Sequence, residues 1–196
     1  MKKSTITLFV IGAIVILLAG WVTIQYNGMV ANDEAVTTAW AGVESQYQRR
    51  SDLIPNLVNT VKGYAAHEKE TLEGVVEARA KATQVTVNAD NLTPERFAQF
   101  QKAQGELSAV LGRLMRITEN YPQLRANENF SALQAQLEGT ENRINESRLR
   151  FNEAVQKYNL SIRRFPGNIF ASLFGFEKRD KFEAEDGTEQ APEVKF

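Results

Sequence analysis

Side chains able to do chemistry are most densely grouped between positions 49 and 56. The polar members are Arg49, Arg50, Asp52 and Asn56, and Pro55 lies among them. Proline cannot donate a hydrogen bond to the carbonyl four residues earlier. One interpretation is therefore a structural network that satisfies the freed carbonyl and pairs Asp52 with an arginine, since buried charges need partners. The other is a surface that docks a partner protein at a kink. We favour the structural interpretation.

A second polar group consists of Glu141, Asn142 and Arg143, within a long helical pattern. A solvated helix face with pairs of side chains three and four residues apart is the simpler interpretation. The alternative is a device that fixes helix register, because Thr140 and Arg148 interrupt the apolar stripe at this point. A polar residue at a core position can fix register at some cost in stability.

His67 and Glu68 resemble half of a metalloprotease motif. That motif requires a second histidine four residues after the first, and position 71 is Thr71. A surface or capping histidine is the expected role of His67. We therefore predict no metal-binding residue in this region.

The composition excludes several functional classes. The 196 residues include no cysteine and one histidine, so disulfides, thiol catalysis and zinc–thiolate sites are ruled out. The formal net charge is −1, from 23 basic and 24 acidic residues. This balance argues against a nucleic-acid partner, which normally requires a basic excess. We see no nucleophile–base pair and no glycine-rich phosphate loop. The sequence thus predicts no enzyme, no catalytic residue and no cofactor.

An apolar segment near the N-terminus predicts a membrane anchor. No charged residue occurs from Ile6 to Ile24, and this length matches a hydrocarbon core of about 30 Å. Lys2 and Lys3 precede the segment, whereas Asp33 and Glu34 are the first charges after it. The positive-inside rule then places the N-terminus in the cytoplasm and the rest of the chain outside. A cleaved signal peptide is the alternative, but no convincing cleavage site follows.

The rest of the chain shows helical periodicity and no strand pattern. Large apolar residues alternate in steps of three and four along residues 36–64, 94–120 and 127–164, a 3.5-residue period typical of bundle helices. Residues 67–85 either extend the first helix or follow a bend, and Pro55 predicts a kink or break. The expected fold is all-α: one transmembrane helix, then an antiparallel bundle of three to four long helices. The stripes could also mediate self-association, although packing within one chain is favoured.

These patterns divide the chain into four segments. Residues 1–5 are a cytoplasmic N-terminus and residues 6–25 the transmembrane anchor. Residues 26–182 form the bundle, and residues 183–196 are an acidic tail that we expect to be flexible. Within the bundle, the apolar piece Ile169–Phe176 is either a small capping helix or a helix on the membrane surface.

Several motifs in the bundle segment are specific. The longest is Gln46–Val58, with an Arg-Arg-x-Asp-Leu-Ile-Pro-Asn-Leu core, and the others include Glu119–Pro122, Leu137–Ile144 and Phe165-Pro166. In these motifs the chain resembles the LemA family, over about residues 26–182. The resemblance implies a membrane-associated helical bundle with no established enzymatic activity.

The resemblance also implies partners. Family members are often encoded near TPM-domain proteins or membrane proteases. Many relatives carry a lipoprotein cysteine just before the Tyr-Asn pair that Tyr26-Asn27 matches here. This chain has no cysteine and uses the apolar segment instead. The lipoprotein relatives support an extracytoplasmic bundle.

We therefore expect a non-enzymatic scaffold or assembly protein of the bacterial envelope that associates with itself. It would be a single-pass protein of the inner (cytoplasmic) membrane, in contact with lipid through its N-terminal helix. The alternative is an adaptor in envelope quality control for a membrane protease or TPM-domain partner. Its docking candidate is the apolar segment that begins with Phe165 and Pro166.

Overall fold

A computed structural model describes residues 3–85, 87 and 92–183 of this chain, without the side chains of residues 3–5. The described residues form six α-helices and no strand. They are α1 (Lys3–Lys62), α2 (Lys69–Gln84), α3 (Pro94–Thr118), α4 (Pro122–Arg125), α5 (Glu128–Arg163) and α6 (Gly167–Phe174). The predicted all-α class is confirmed. The expected cytoplasmic location of the charges of Lys2 and Lys3 concerns side chains outside the described part of the chain. The expected flexibility of the acidic tail after Glu183 also lies outside the described residues.

Helix α1 is continuous over 60 residues, which corresponds to about 90 Å. It passes through the expected boundary between anchor and bundle at residues 25 and 26 without interruption. Pro55 lies inside the helix, which continues to Lys62, so a break at Pro55 is excluded. Within the described part of the chain, α1 is the one helix long and apolar enough to cross a membrane.

The long helices alternate in direction. Helix α5 runs antiparallel to α1, because Asn127 Nδ2 donates to the Tyr64 hydroxyl at 2.9 Å near one end. At the other end of the pair, a Cβ atom placed on Gly167, just beyond α5, would lie 3.1 Å from Met29 Cε of α1. Helix α2 also returns along α1, and α3 then packs against α2 and runs in the direction of α1. The result is the predicted antiparallel bundle, with four long helices and two short ones.

Most residues of the heptad stripes are buried within this one chain, so packing within the chain is confirmed for them; Tyr64, at the end of the first stripe, is 40% exposed. One core cluster surrounds Trp40, whose ring contacts those of Phe97, Phe100 and Phe151 at centroid distances of 5.3–5.9 Å. The other cluster fills the opposite end of the bundle with aliphatic side chains. Its largest fully buried members are Ile54, Leu57, Leu107, Leu114, Leu124 and Phe130.

The chain after α6 is bound along α5 by two asparagine side chains. Asn159 donates to the carbonyl of Arg179 at 2.8 Å and accepts from its N–H at 3.0 Å. Asn152 makes the same pair of bonds with Phe182, at 2.9 and 2.8 Å. The two amides are seven residues apart and therefore lie on one face of α5. They hold the segment so that the Phe182 ring is buried against Trp40.

Candidate functional site

The guanidinium group of Arg50 is the centre of a polar layer in the middle of the bundle. Arg50 is only 1% exposed, although it belongs to a residue type that is rarely buried. Its Nη1 donates to Ser108 Oγ at 2.8 Å and to Glu141 Oε1 at 2.9 Å. Its Nη2 donates to the side-chain and main-chain oxygens of Gln104. One side chain of α1 is thereby bonded to both α3 and α5.

The heptad pattern explains why Arg50 is buried. Arg50 occupies the gap in the apolar stripe between Tyr47 and Ile54, so the helix directs it into the core. The Tyr47 ring covers one face of the guanidinium, 4.9 Å from Cζ, a distance at which cation–π attraction is effective. Of the polar partners on α3, Gln104 belongs to the facing stripe and Ser108 lies one turn after it, partly buried. The layer therefore interrupts the apolar core at matched positions on three helices.

A cleft of about 200 Å³ opens beside this layer, between α1, α3 and α5. Its lining includes Arg50, Glu141 and Arg148. The Nε atoms of both arginines are buried and have no hydrogen-bond partner among the described residues. Buried donors of this kind are normally satisfied by protein or water. The Arg148 guanidinium stacks over the Phe182 ring at 4.6 Å, which joins the cleft to the segment after α6.

The layer has a clear structural consequence. Glu141 is 40% exposed as a side chain, so the Arg50–Glu141 pair has one buried and one partly hydrated member. Removing the acceptors of a buried guanidinium leaves an uncompensated charge, which costs about 3–5 kcal/mol in buried pairs. A shift of α5 along α1 would break the 2.9 Å contact. For Glu141, this geometry supports the register interpretation; Asn142 beside it is exposed on the solvated face.

Arg143 extends the layer along α5. It donates from Nε to Gln46 Oε1 at 3.3 Å and from Nη2 to Thr140 Oγ1 at 3.0 Å. Because Gln46 lies on α1, Arg143 adds a second polar contact between the two longest helices. Thr140, which interrupts the apolar stripe, is fully buried and its hydroxyl also donates to the carbonyl of Gln136.

The remaining residues around Pro55 do not join the layer. Arg49, Asp52 and Asn56 are exposed. Asp52 accepts from Gln48 Nε2 at 2.8 Å, so the expected pairing of Asp52 with an arginine is wrong. Gln48 lies one helical turn before Asp52 on the same face of α1, so its side chain reaches the carboxylate. Arg50 points into the core and does not.

The carbonyl freed by Pro55 is satisfied by a residue outside the predicted signature. Arg79 Nε, on α2, donates to the main-chain oxygen of Ser51 at 2.8 Å. The carbonyl is thus satisfied, as expected, but its donor is a side chain of α2, 28 residues further along the chain. A sequence signal was available, because Arg79 belongs to Glu77-Ala78-Arg79, one of the motifs that carry the family resemblance.

His67 and Glu68 take part in a turn contact. The Tyr121 hydroxyl lies 2.8 Å from His67 Nε2 and donates to Glu68 Oε1 at 2.9 Å. These bonds join the turn after α1 to the end of α3. In the part of the chain that the structure describes, no three histidine or carboxylate side chains are grouped as a metal site.

Phe165 and Pro166 directly follow the C-terminal end of α5, remote from the Arg50 layer. Phe165 is 82% exposed, and Pro166 precedes α6 at the level of Met29. The predicted signature is therefore not one site. Part of it lies in the polar layer in mid-bundle, Phe165 and Pro166 lie where the bundle meets the candidate membrane segment, and the remaining residues are exposed on α1 and α5.

Comparison with known proteins gives a family match. The chain matches the LemA family over residues 39–196. This chain belongs to the LemA family. The match begins inside α1, one residue before Trp40, and so covers most of the bundle but not the apolar part of α1.

Among curated proteins, this LemA-family chain is similar to three magnetosome proteins. Two are MamQ 1 and MamQ 2 of Paramagnetospirillum magneticum, each 25% identical over 178 residues, 81% of this chain and 65% of the relative. The third is MamQ of Magnetospirillum gryphiswaldense, 25% identical over 177 residues, 81% of this chain and 64% of the relative. The chain thus spans a little less than two thirds of the length of the curated relatives it matches.

Proposed function

We propose that this LemA-family protein is a membrane-anchored, non-enzymatic scaffold of the bacterial envelope. The observation that carries the proposal is the continuity of α1, which runs from the candidate membrane span into the core of the bundle without a hinge. A helix of this length couples the orientation of the bundle to that of the span. The Arg50 layer reinforces the coupling, because it bonds α1 to α3 and α5. Such a device suits a protein whose task is to hold a surface at a fixed place above a membrane.

The known relatives support a role of this kind. The similar curated proteins are named after the magnetosome, and those names state no reaction. The polar groups of the Arg50 layer are bonded to one another and placed between helices, as expected of a structural network. In this proposal the N-terminus is cytoplasmic and the bundle extracytoplasmic, as the charges that flank the apolar segment indicate.

Self-association is part of the proposal, but the heptad stripes are not its surface, since they are buried in the core. The outward face of α5 is the better candidate. Leu149 and Leu160 are exposed there and are eleven residues apart, about three helical turns, so they lie on one face. Anchors that enter one membrane in parallel would favour assembly with cyclic or helical symmetry.

Light scattering after size-exclusion chromatography of the full-length protein in detergent tests this proposal. We expect an oligomer that Leu149→Glu together with Leu160→Glu converts to a monomer. Val76→Glu is the matched control, because Val76 is an exposed apolar residue on α2. A wild-type protein that stays monomeric at every concentration would exclude self-association.

Crosslinking in native membranes then separates a homotypic scaffold from an adaptor, since an adaptor would give products with a membrane protease or a TPM-domain protein.

A further inference from the structure

Helix α6 carries an apolar surface that the bundle does not cover. Gly167 and Ala171 are buried against the bundle. Ile169 and Leu173 point the other way and are 54% and 73% exposed. Phe165, in the turn that precedes the helix, is 82% exposed. Ile169 and Leu173 therefore form an outward apolar stripe on α6, and Phe165 adds exposed apolar surface just before the helix.

The position of α6 identifies what lies next to this stripe. The Phe170 ring contacts Trp21, at a centroid distance of 5.4 Å, and the Phe174 ring contacts Tyr26, at 5.0 Å. Trp21 belongs to the apolar segment without charges, and Tyr26 follows it closely. Tryptophan and tyrosine favour the boundary between hydrocarbon and headgroups. Side-chain contacts therefore place α6 at the depth where the candidate span leaves the membrane.

The charges around α6 fit the same location. No charged residue occurs from Phe165 to Phe176. Arg163 and Arg164 precede this stretch, and charges of both signs follow it: Glu177, Lys178, Asp180 and Lys181, all of them exposed. An apolar helix face with basic side chains beside it is the pattern of helices that lie in the plane of a membrane surface. The basic groups can reach lipid phosphates while the apolar stripe enters the acyl boundary.

We propose that α6 is an interfacial helix, whose apolar stripe of Ile169 and Leu173 is immersed, together with the adjacent Phe165, in the same bilayer that α1 crosses. The occupant of this surface is lipid, and no partner protein is required to cover it. The bundle would then have two attachments to the membrane, one through α1 and one through α6. Two attachments fix its tilt and its rotation about α1. This inference rests on the proposed membrane anchoring, and the following experiment separates the two.

The chain has no cysteine, so single cysteines can be introduced into the full-length protein and labelled with an environment-sensitive fluorophore. The test variant is Ile169→Cys, and Asn168→Cys is its neighbour on the exposed flank of α6. Leu17→Cys reports on the apolar part of α1, where Leu17 is exposed. Each protein is reconstituted into vesicles of phosphatidylethanolamine and phosphatidylglycerol. Quenching is measured with lipids brominated near the top of the acyl chain and with aqueous iodide.

We expect brominated lipid to remove most of the fluorescence at position 169 and little at position 168, with the opposite order for iodide. Equal iodide quenching at positions 168 and 169, with position 17 quenched by lipid, would overturn the inference and leave the anchor intact. Failure of lipid to quench position 17 would overturn the anchor itself. Protection of position 169 from both quenchers, increasing with the protein-to-lipid ratio, would show that a second protein copy covers the stripe and would contradict the proposal.

Discussion

Arg79 donates from Nε to the main-chain oxygen of Ser51 at 2.8 Å, the oxygen that Pro55 leaves without its helical donor. A helix interior that contains proline loses a hydrogen bond and is destabilised by about 3 kcal/mol. Here a side chain of α2 supplies the missing donor, so α1 continues past Pro55 to Lys62. The bond also fixes the position of α2 on α1.

This relationship predicts coupling between positions 55 and 79. Arg79→Ala should lower the free energy of unfolding by about 1–2 kcal/mol, because it leaves the Ser51 carbonyl unsatisfied. In a Pro55→Ala background the new N–H replaces Arg79, so the same substitution should cost much less. Unfolding of the full-length protein in detergent, followed by far-ultraviolet circular dichroism, measures all four corners of the cycle. Lys81→Ala, on the exposed side of α2, is the control. Additive effects of the two substitutions would contradict the assignment.

Arg50 and Arg49 offer a matched pair for the polar layer. Arg50→Ala should lower the free energy of unfolding by about 3 kcal/mol, because it removes a buried group with partners on two helices. Arg49→Ala should change it by less than about 0.5 kcal/mol, since Arg49 is exposed. Denaturant titration of the two variants in parallel measures the difference. Equal effects would show that the layer does not stabilise the bundle.

A companion substitution tests whether Arg50 depends on Glu141. Glu141→Gln keeps an acceptor but removes the charge, and Glu141 is partly hydrated. Its cost should therefore be smaller than that of Arg50→Ala, at about 1 kcal/mol. A double variant no less stable than Arg50→Ala alone would show that the two side chains act as one unit.

Much of this fold is predictable from sequence, because it depends on local patterns. The 3.5-residue stripes indicated the long helices, and the N-caps follow from residue type. Thr93 Oγ1 accepts from the N–H of Arg96, and Asn127 Oδ1 accepts from that of Phe130. These are contacts within three residues, so the sequence holds all the information they need.

The missed features depend on contacts between residues distant in sequence. The composition changes after residue 25, whereas the helical backbone of α1 continues through that point. The Arg50 layer assembles side chains 54 to 91 residues apart. Nothing in the spacing of Asn152 and Asn159 identifies the backbone of Arg179 and Phe182 as their partners. Such bonds become visible only when the chain after α6 is seen to return along α5.

Gly167 is predicted to be intolerant of any side chain. A Cβ atom there would lie 2.5 Å from the main-chain oxygen of Ser161 and 3.1 Å from Met29 Cε. Gly167→Ala should therefore displace α6 and destabilise the protein by about 1–3 kcal/mol. Gly74→Ala, in α2, is the opposite case, since no atom lies within 4 Å of its Cβ position. It should stabilise the protein by about 0.5–1 kcal/mol through helix propensity. Thermal unfolding compares the two, and similar melting temperatures would refute the packing argument.

We expect the fold to lose stability at alkaline pH because of the hydroxyl group of Tyr158. Its hydroxyl donates to the carbonyl of Glu177 at 2.8 Å, and burial, reinforced by the charge of Asp33, raises its pKa above the usual value. The unfolded chain releases this proton near pH 10, whereas the folded chain retains it. The contribution of Tyr158 is therefore complete below about pH 10 and is lost as the pH rises toward the folded-state pKa.

Tyr158→Phe isolates this contribution. At neutral pH the variant should be less stable by about 1 kcal/mol, because the hydrogen bond to Glu177 is lost. Above about pH 10 the two proteins should converge, since phenylalanine has no proton to release and the wild type loses its advantage. Tyr121, whose pKa is also raised, is present in both proteins and cancels in the comparison. Denaturant unfolding at a series of pH values measures the difference. A difference that stays constant through the alkaline range would show that the Tyr158 hydroxyl is not held in its neutral form by the fold.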